Sequence, residues 1–187
     1  METMVNNTSE LFQQAVKIED KDPVQALTLY EKCLALEPSH SGAHMNAGTI
    51  RYQRQEYTAA EMHYRTALIF DSNSALGHFN LGNVLDHTDR TPESIKHYEA
   101  AIKLAPSYAD AHYNLALAYE RMRQPRKALG HWITYTKLDL NSLWSDHAHK
   151  RIAVLSEQAP ITLMVVSSNN ARSNRTKRRA KLFIVRA

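Results

Sequence analysis

The sequence predicts an all-α solenoid of about four helical hairpins closed by a C-terminal capping helix. Three observations carry this. Gly48 and Gly82 stand 34 residues apart, as do Asn46, Asn80 and Asn114, and His44, His78 and His112, and a period in that range marks stacked supersecondary units. Segments 41–74, 75–108 and 109–142 align without a gap. Taken across the three, small residues favour positions 8, 20 and 27 and bulky ones positions 7, 24 and 28. Two helix backbones can then approach at the small positions while the bulky side chains fill the space around them.

The first repeat, 8–40, is one residue shorter than the others, and the deletion falls most simply in the loop between its helices. Its helices are expected at 8–20 and 23–36. Pro23 opens the second, where a missing N–H costs nothing, and Pro38 follows a helix it could not continue. Cys33, the single cysteine, falls at a small-residue position and reads as a buried structural thiol. It cannot form an internal disulfide, which fits a reducing compartment. The second repeat places helices at 41–54 and 57–70. The third places them at 75–88 and 92–104, with Pro92 starting the latter and Pro106 following it. The fourth places them at 109–122 and 125–139, with Pro125 at the start of its second helix.

After the fourth repeat, Ser142 is a candidate N-cap, and Trp144, Ala148, Ile152 and Leu155 fall on one face at helical spacing. A capping helix over 142–157 is expected, because a solenoid's last hairpin otherwise leaves its apolar face in water. Asp146, His147, His149, Lys150 and Arg151 supply its outer polar side.

Charge is unevenly distributed. Residues 161–187 hold seven Lys or Arg and no Asp or Glu, so the net +4 of the chain is a tail of +7 on an array of −3. The tail, 160–187, reads as a flexible basic extension, as a small hairpin of the runs 161–166 and 182–185, or as a nucleic-acid or acidic-surface contact through Arg175, Lys177, Arg178, Arg179 and Lys181. Such a cluster gains affinity by releasing counterions, although no aromatics are interleaved to stack bases. The start of the chain has no basic region followed by an apolar stretch, and no run approaches the length of a membrane span. A cytoplasmic location is expected.

Catalytic constellations are absent from the sequence: no Gly-rich phosphate loop, no His-Glu-x-x-His pattern, no cysteine pair and no nucleophile in a recognisable setting. The expectation is a protein that is not an enzyme and holds no cofactor or metal. His44, His78 and His112 invite a metal reading, but they occupy the same position of successive hairpins, about 8–10 Å apart, too far to share one ion. Packing against the neighbouring helix accounts for them better.

Leu81-Gly82, Ala60, Tyr64, Ala67, Tyr98, Ala101, Pro106, Leu115, Tyr119, Ala128 and Trp132 fall on the offsets of the tetratricopeptide repeat signature. Ser72, Leu140, Ser94, Ala116 and Tyr135 depart from it. By this resemblance, which covers roughly four fifths of the chain, the solenoid is right-handed and the first helix of each repeat lines a concave groove. Positions 2, 5, 6, 9, 12 and 13 then face that groove. The resemblance implies a binding surface made of Asn46, Asn80 and Asn114, the row Met45, Phe79 and Tyr113 one residue earlier, and Tyr52, Asn83 and Arg121. Asparagine amides can both donate to and accept from a peptide backbone, and this arrangement is similar to the asparagine ladder of O-linked N-acetylglucosaminyl transferases. The other reading is that each amide serves its own repeat. The apolar row either buries ligand side chains or is covered by neighbouring helices. Arg121 is the sole basic groove residue, which does not support a clamp for a C-terminal carboxylate.

Phrases such as LGHFNLGNVLDH, YADAHYNLALAYER and KALGHWITYTKLD are also similar to repeat regions of bacterial MerR-type regulators. No MerR-type DNA-binding domain precedes the array in this sequence. The functional expectation is a scaffold that binds a protein or peptide partner in the groove, with a nucleic-acid-associated or transcription-regulatory factor acting through the basic tail as the alternative.

Overall fold

The computed structural model describes residues 2–158. Nine helices follow one another: α1 (Glu2–Ile18), α2 (Pro23–Leu36), α3 (Ser41–Gln53), α4 (Tyr57–Phe70), α5 (Ala75–His87), α6 (Thr91–Leu104), α7 (Ala109–Arg121), α8 (Pro125–Leu138) and α9 (Leu143–Gln158). Among the described residues the chain is all-α. Helix α1 runs from Glu2 to Ile18 and not over 8–20; the basic tail lies outside the described residues.

Local chemistry sets the boundaries. Asp22, His40 and Ser74 cap α2, α3 and α5 by accepting from the N–H of Gln25, Ala43 and Gly77 at 2.9, 3.0 and 3.1 Å. Ser142 does the same for α9, accepting from Ser145 N–H at 3.2 Å. Pro23, Pro92 and Pro125 sit in the first turns of α2, α6 and α8. Hairpins 2–4 turn through a left-handed residue, Gln55, Asp89 or Arg123 (φ 62°, 57° and 54°). The following N–H of Glu56, Arg90 or Gln124 reaches back to the carbonyl of Arg51, Leu85 or Tyr119 at 2.8–2.9 Å, closing the first helix in the Schellman manner.

Each helix packs on the next in the chain, and α5 also touches α3 on one side and α7 on the other. The first helices therefore form an inner layer and the second helices an outer one. The core between the layers is built on fully buried aromatics from the second helices: Tyr30, Tyr64, Tyr98 and Trp132. These press on small residues of the first helices. A Cβ on Gly48 would lie 2.8 Å from Tyr64, and one on Gly82 would lie 2.6 Å from Tyr98. Cys33 is fully buried, its Sγ 3.6 Å from the Thr8 carbonyl oxygen, and burial raises its pKa.

Helix α9 packs on α8, but its register differs from expectation. The buried face runs through Ser145, Ala148, Ile152 and Leu155, while Trp144 is 63% exposed. Trp144 lies about 100° around the helix from Ser145, and the small serine takes the place at the interface. His147 and Arg151, expected on the outer side, instead turn inward toward α7.

Candidate functional site

The inner layer places the predicted groove residues on α3, α5 and α7, with α9 extending the row. The amide nitrogens of the asparagine ladder are engaged within the array, each differently. Asn46 Nδ2 donates to the Tyr30 hydroxyl at 2.9 Å, and that hydroxyl donates to Glu19 at 2.5 Å. Asn114 Nδ2 donates to Asn83 Oδ1 at 2.8 Å, and the same oxygen accepts from the Tyr98 hydroxyl at 2.8 Å. Asn83 is thus a bridge between two hairpins, which its expected groove role did not include. Among the described residues Asn80 Nδ2 finds a weak sulfur acceptor, Met45 Sδ at 3.7 Å, and is the least committed rung.

The apolar row divides. Met45 is buried and its Cε stands 2.9 Å from where a Gly77 Cβ would be, so it packs in the core. Phe79 is half-buried against Tyr98 and Tyr108. Tyr113 sits among Trp132, Tyr135, Trp144 and His147, with its hydroxyl 2.9 Å from His147 Nδ1. Tyr52 meets Tyr57 and His87 edge-on, those two rings stacking at 5.2 Å, and burial raises its pKa. Beside this row Leu76 is 49% exposed. The Arg121 guanidinium pairs with Asp86 but leaves half its side chain in solvent.

Between α7 and α9 an open cleft of about 310 Å³ is lined by Leu117, Glu120, Arg121, His147 and Arg151. Glu120 is held by Trp132 Nε1–H at 2.6 Å and by the Arg151 guanidinium. His147 and Arg151 reach this face because α9 packs beside α8 as the preceding first helices do on theirs. Treating α9 as one more groove-lining helix would have found them from the sequence.

The histidines were also only half legible. His44, His78 and His112 each meet a histidine of the second helix: Nδ1 atoms of His44 and His63, His78 and His97, and His112 and His131 are all 3.0 Å apart. The signal was present, since His63, His97 and His131 also stand 34 apart. The first histidines place Nε2 at 3.0, 3.3 and 3.1 Å from the carbonyl oxygens of Pro38, Ser72 and Pro106. A carbonyl only accepts, so this nitrogen carries the proton and Nδ1 accepts from the second ring's Nδ1–H. Burial lowers the pKa of His63, and holds His97 and His131 down to about 4. Among the described residues no group of three or more His, Cys, Asp or Glu is placed to hold a metal. No described helix is long and apolar enough to cross a membrane.

Residues 19–75 match the tetratricopeptide repeat family model, and residues 89–122 match a second model described as TPR repeat. Over these two stretches the chain is similar to tetratricopeptide repeats. Solved structures agree on the fold of the array. MamA from Desulfovibrio magneticus RS-1 is 21% identical with a TM-score of 0.66, covering 72% of this chain and 76% of that one. The pilF protein of Pseudomonas aeruginosa is 23% identical with a TM-score of 0.70, covering 83% and 70%. The Thermobaculum terrenum O-GlcNAc transferase is 23% identical with a TM-score of 0.66, covering 72% of this chain but 26% of the enzyme. At these identities the likeness is one of fold. No curated protein matches this chain, and the family and structure matches give no support to the narrower likeness to MerR-type regulators.

Proposed function

We propose that the array is a non-enzymatic scaffold that holds an extended segment of a partner protein along its inner, first-helix face. Tetratricopeptide-repeat proteins in general mediate protein–protein interaction. The observation that carries the reading here is the surface character of that face. Leu76 and Trp144 are exposed, and with them go the partly open rings of Phe79 and Tyr113 and the cleft at Arg121. Aromatic and apolar anchors rimmed by amides and a guanidinium suit a peptide whose side chains enter pockets while its backbone meets polar groups. Asn80 and Asn114 would read the backbone, Phe79 and Tyr113 the side chains, and Tyr52 and Arg121 the ends. Asn46 and Asn83 serve chiefly to hold neighbouring hairpins, and Met45 drops out as a contact.

The test is calorimetric titration of a partner segment recovered by crosslinking to the array. Asn80→Ala combined with Asn114→Ala is expected to weaken binding by roughly tenfold, since each lost hydrogen bond to a backbone costs about 0.5–1.5 kcal/mol. Phe79→Ala is expected to discriminate among segments instead. Circular dichroism must accompany the double variant, because Asn114 also bonds Asn83. Undiminished affinity in a folded double variant, with loss on replacing Arg175, Lys177, Arg178, Arg179 and Lys181, would move the binding site to the tail.

A further inference from the structure

The histidine pairs occupy positions that the proposed binding face does not use, and the repeat supplies its own comparison. In hairpins 2, 3 and 4 the first helix offers His44, His78 or His112 and the second offers His63, His97 or His131. In hairpin 1 the same two places hold Leu11 and Leu29, both packed on that hairpin's core. An apolar pair therefore fits this position, yet three of four hairpins hold two weak bases there.

The hydrogen bonds fix where a further proton goes. In each pair the first ring donates from Nε2 to a backbone carbonyl and accepts at Nδ1, and the second ring donates from Nδ1. The second ring's Nε2 is left as the basic nitrogen. Ring centroids 5.2–5.3 Å apart put the 3.0 Å contact close to the line joining the rings, as a hydrogen bond requires. A charge on the second ring is opposed by burial and, in the first two pairs, by a basic neighbour. His63 faces His44 and Arg51 on α3, with Glu31 on α2 in partial compensation. His97 faces His78 on α5 and Arg65 on α4, against Glu61 on α4 and Glu93 on its own helix. His131 faces His112 on α7, against Glu99 on α6.

We infer that the three imidazole pairs are a proton-sensitive clasp, closing hairpins 2, 3 and 4 in neutral solution and loosening them in mild acid, while hairpin 1, with its leucine pair, does not respond. The inference rests on the packing of the helices and not on the binding role of the inner face. Its direction follows from linkage. In the folded state His97 and His131 stay neutral down to about 4, whereas in the unfolded chain histidine takes up its proton near pH 6.5. Between those values the unfolded chain binds more protons, so stability falls as pH falls through that window and levels off below it.

The test compares the parent with a variant carrying leucine at all six positions (His44→Leu, His63→Leu, His78→Leu, His97→Leu, His112→Leu and His131→Leu), copying hairpin 1. Between pH 7.5 and 5.0 the parent's Tm is expected to fall by roughly 5–10 °C and the variant's by less than half as much. His40, His87, His147 and His149 remain in both as a common background. Equal falls in the two proteins overturn the inference. If the variant does not fold, nitrogen-15 NMR of the parent decides. Protonated Nδ1 on His63, His97 and His131, with the His97 and His131 rings of the folded protein still neutral at pH 5.0, sustains the inference; the opposite tautomers, or Nε2 proton uptake near pH 6.5 in the folded protein, overturn it.

Discussion

Gly82→Leu is expected to destabilise the array by about 3 kcal/mol or more, at the upper end of what overpacking a close-packed core costs. Even the first carbon of the new side chain would lie 2.6 and 2.7 Å from Cε1 and Cδ1 of Tyr98. That ring cannot step aside, because it is 1% exposed and its hydroxyl is tied to Asn83, which also holds Asn114. Moving Tyr98 therefore breaks the bridge between hairpins 3 and 4 as well as the packing inside hairpin 3. Thermal melts followed by circular dichroism check this, with a fall in Tm of about 5–10 °C expected for a chain of this size. Gly130→Ala is the matched control. It lies inside α8 with nothing within 4 Å of its added Cβ, so removing a helix-interior glycine is expected to raise stability by about 0.5–1 kcal/mol. A Gly82→Leu protein that melts like the parent would show that the tight approach of α5 and α6 is wrong.

Gly82 was legible in the sequence because close approach of two helices demands a small residue at a fixed offset, and the period repeats that demand at Gly48 and Ala116. Helix boundaries of hairpins 2–4 were legible for a related reason: proline, caps and period act locally. What escaped the sequence depends on how side chains reach across elements. Position 44 repeats visibly, but nothing in the spacing of 19 residues to His63 says that the two rings meet. That follows from how α4 folds back on α3. The asparagines announce a common face, yet their internal bonds depend on the reach of Tyr30 and Tyr98 hydroxyls from the second helices. Met45 reads as a groove residue by offset and becomes core because Gly77 leaves a hollow beside it. Trp144 misleads because hydrophobicity alone orients a helix poorly when small residues decide how near it comes. Ser145 and Ala148 let α9 approach α8, and the indole is left at the rim, touching Tyr113 at 5.5 Å between ring centroids.

Removing α9 by ending the chain at residue 141 is expected to abolish cooperative melting or to cause aggregation. Helix α9 covers the last hairpin's core, where Trp132 is fully buried and Tyr135 and Leu129 nearly so, and it contributes Ala148 and Leu155 to the same cluster. Aromatic side chains bury about 150–250 Å² each. Uncovering even part of that surface costs on the order of 5 kcal/mol at about 25 cal/mol per Å², a large share of the roughly 5–15 kcal/mol that holds a typical domain together. Polar terms add to the loss: the truncation takes away the Arg151 guanidinium from Glu120 and the His147 ring from the Tyr113 hydroxyl. Glu120 keeps its bond from the Trp132 indole, but a carboxylate with its counter-charge gone no longer anchors the cleft. The contiguous aromatic patch left behind is of the kind that drives self-association. Gel filtration and thermal melts of 1–141 beside 1–158 separate the contribution of α9 from that of the tail. The longer fragment is expected to remain monodisperse and to melt cooperatively, the shorter to do neither. A monodisperse 1–141 fragment with the parent's Tm would show that the fourth hairpin closes the array by itself and that α9 is an accessory to the cleft, not its cap.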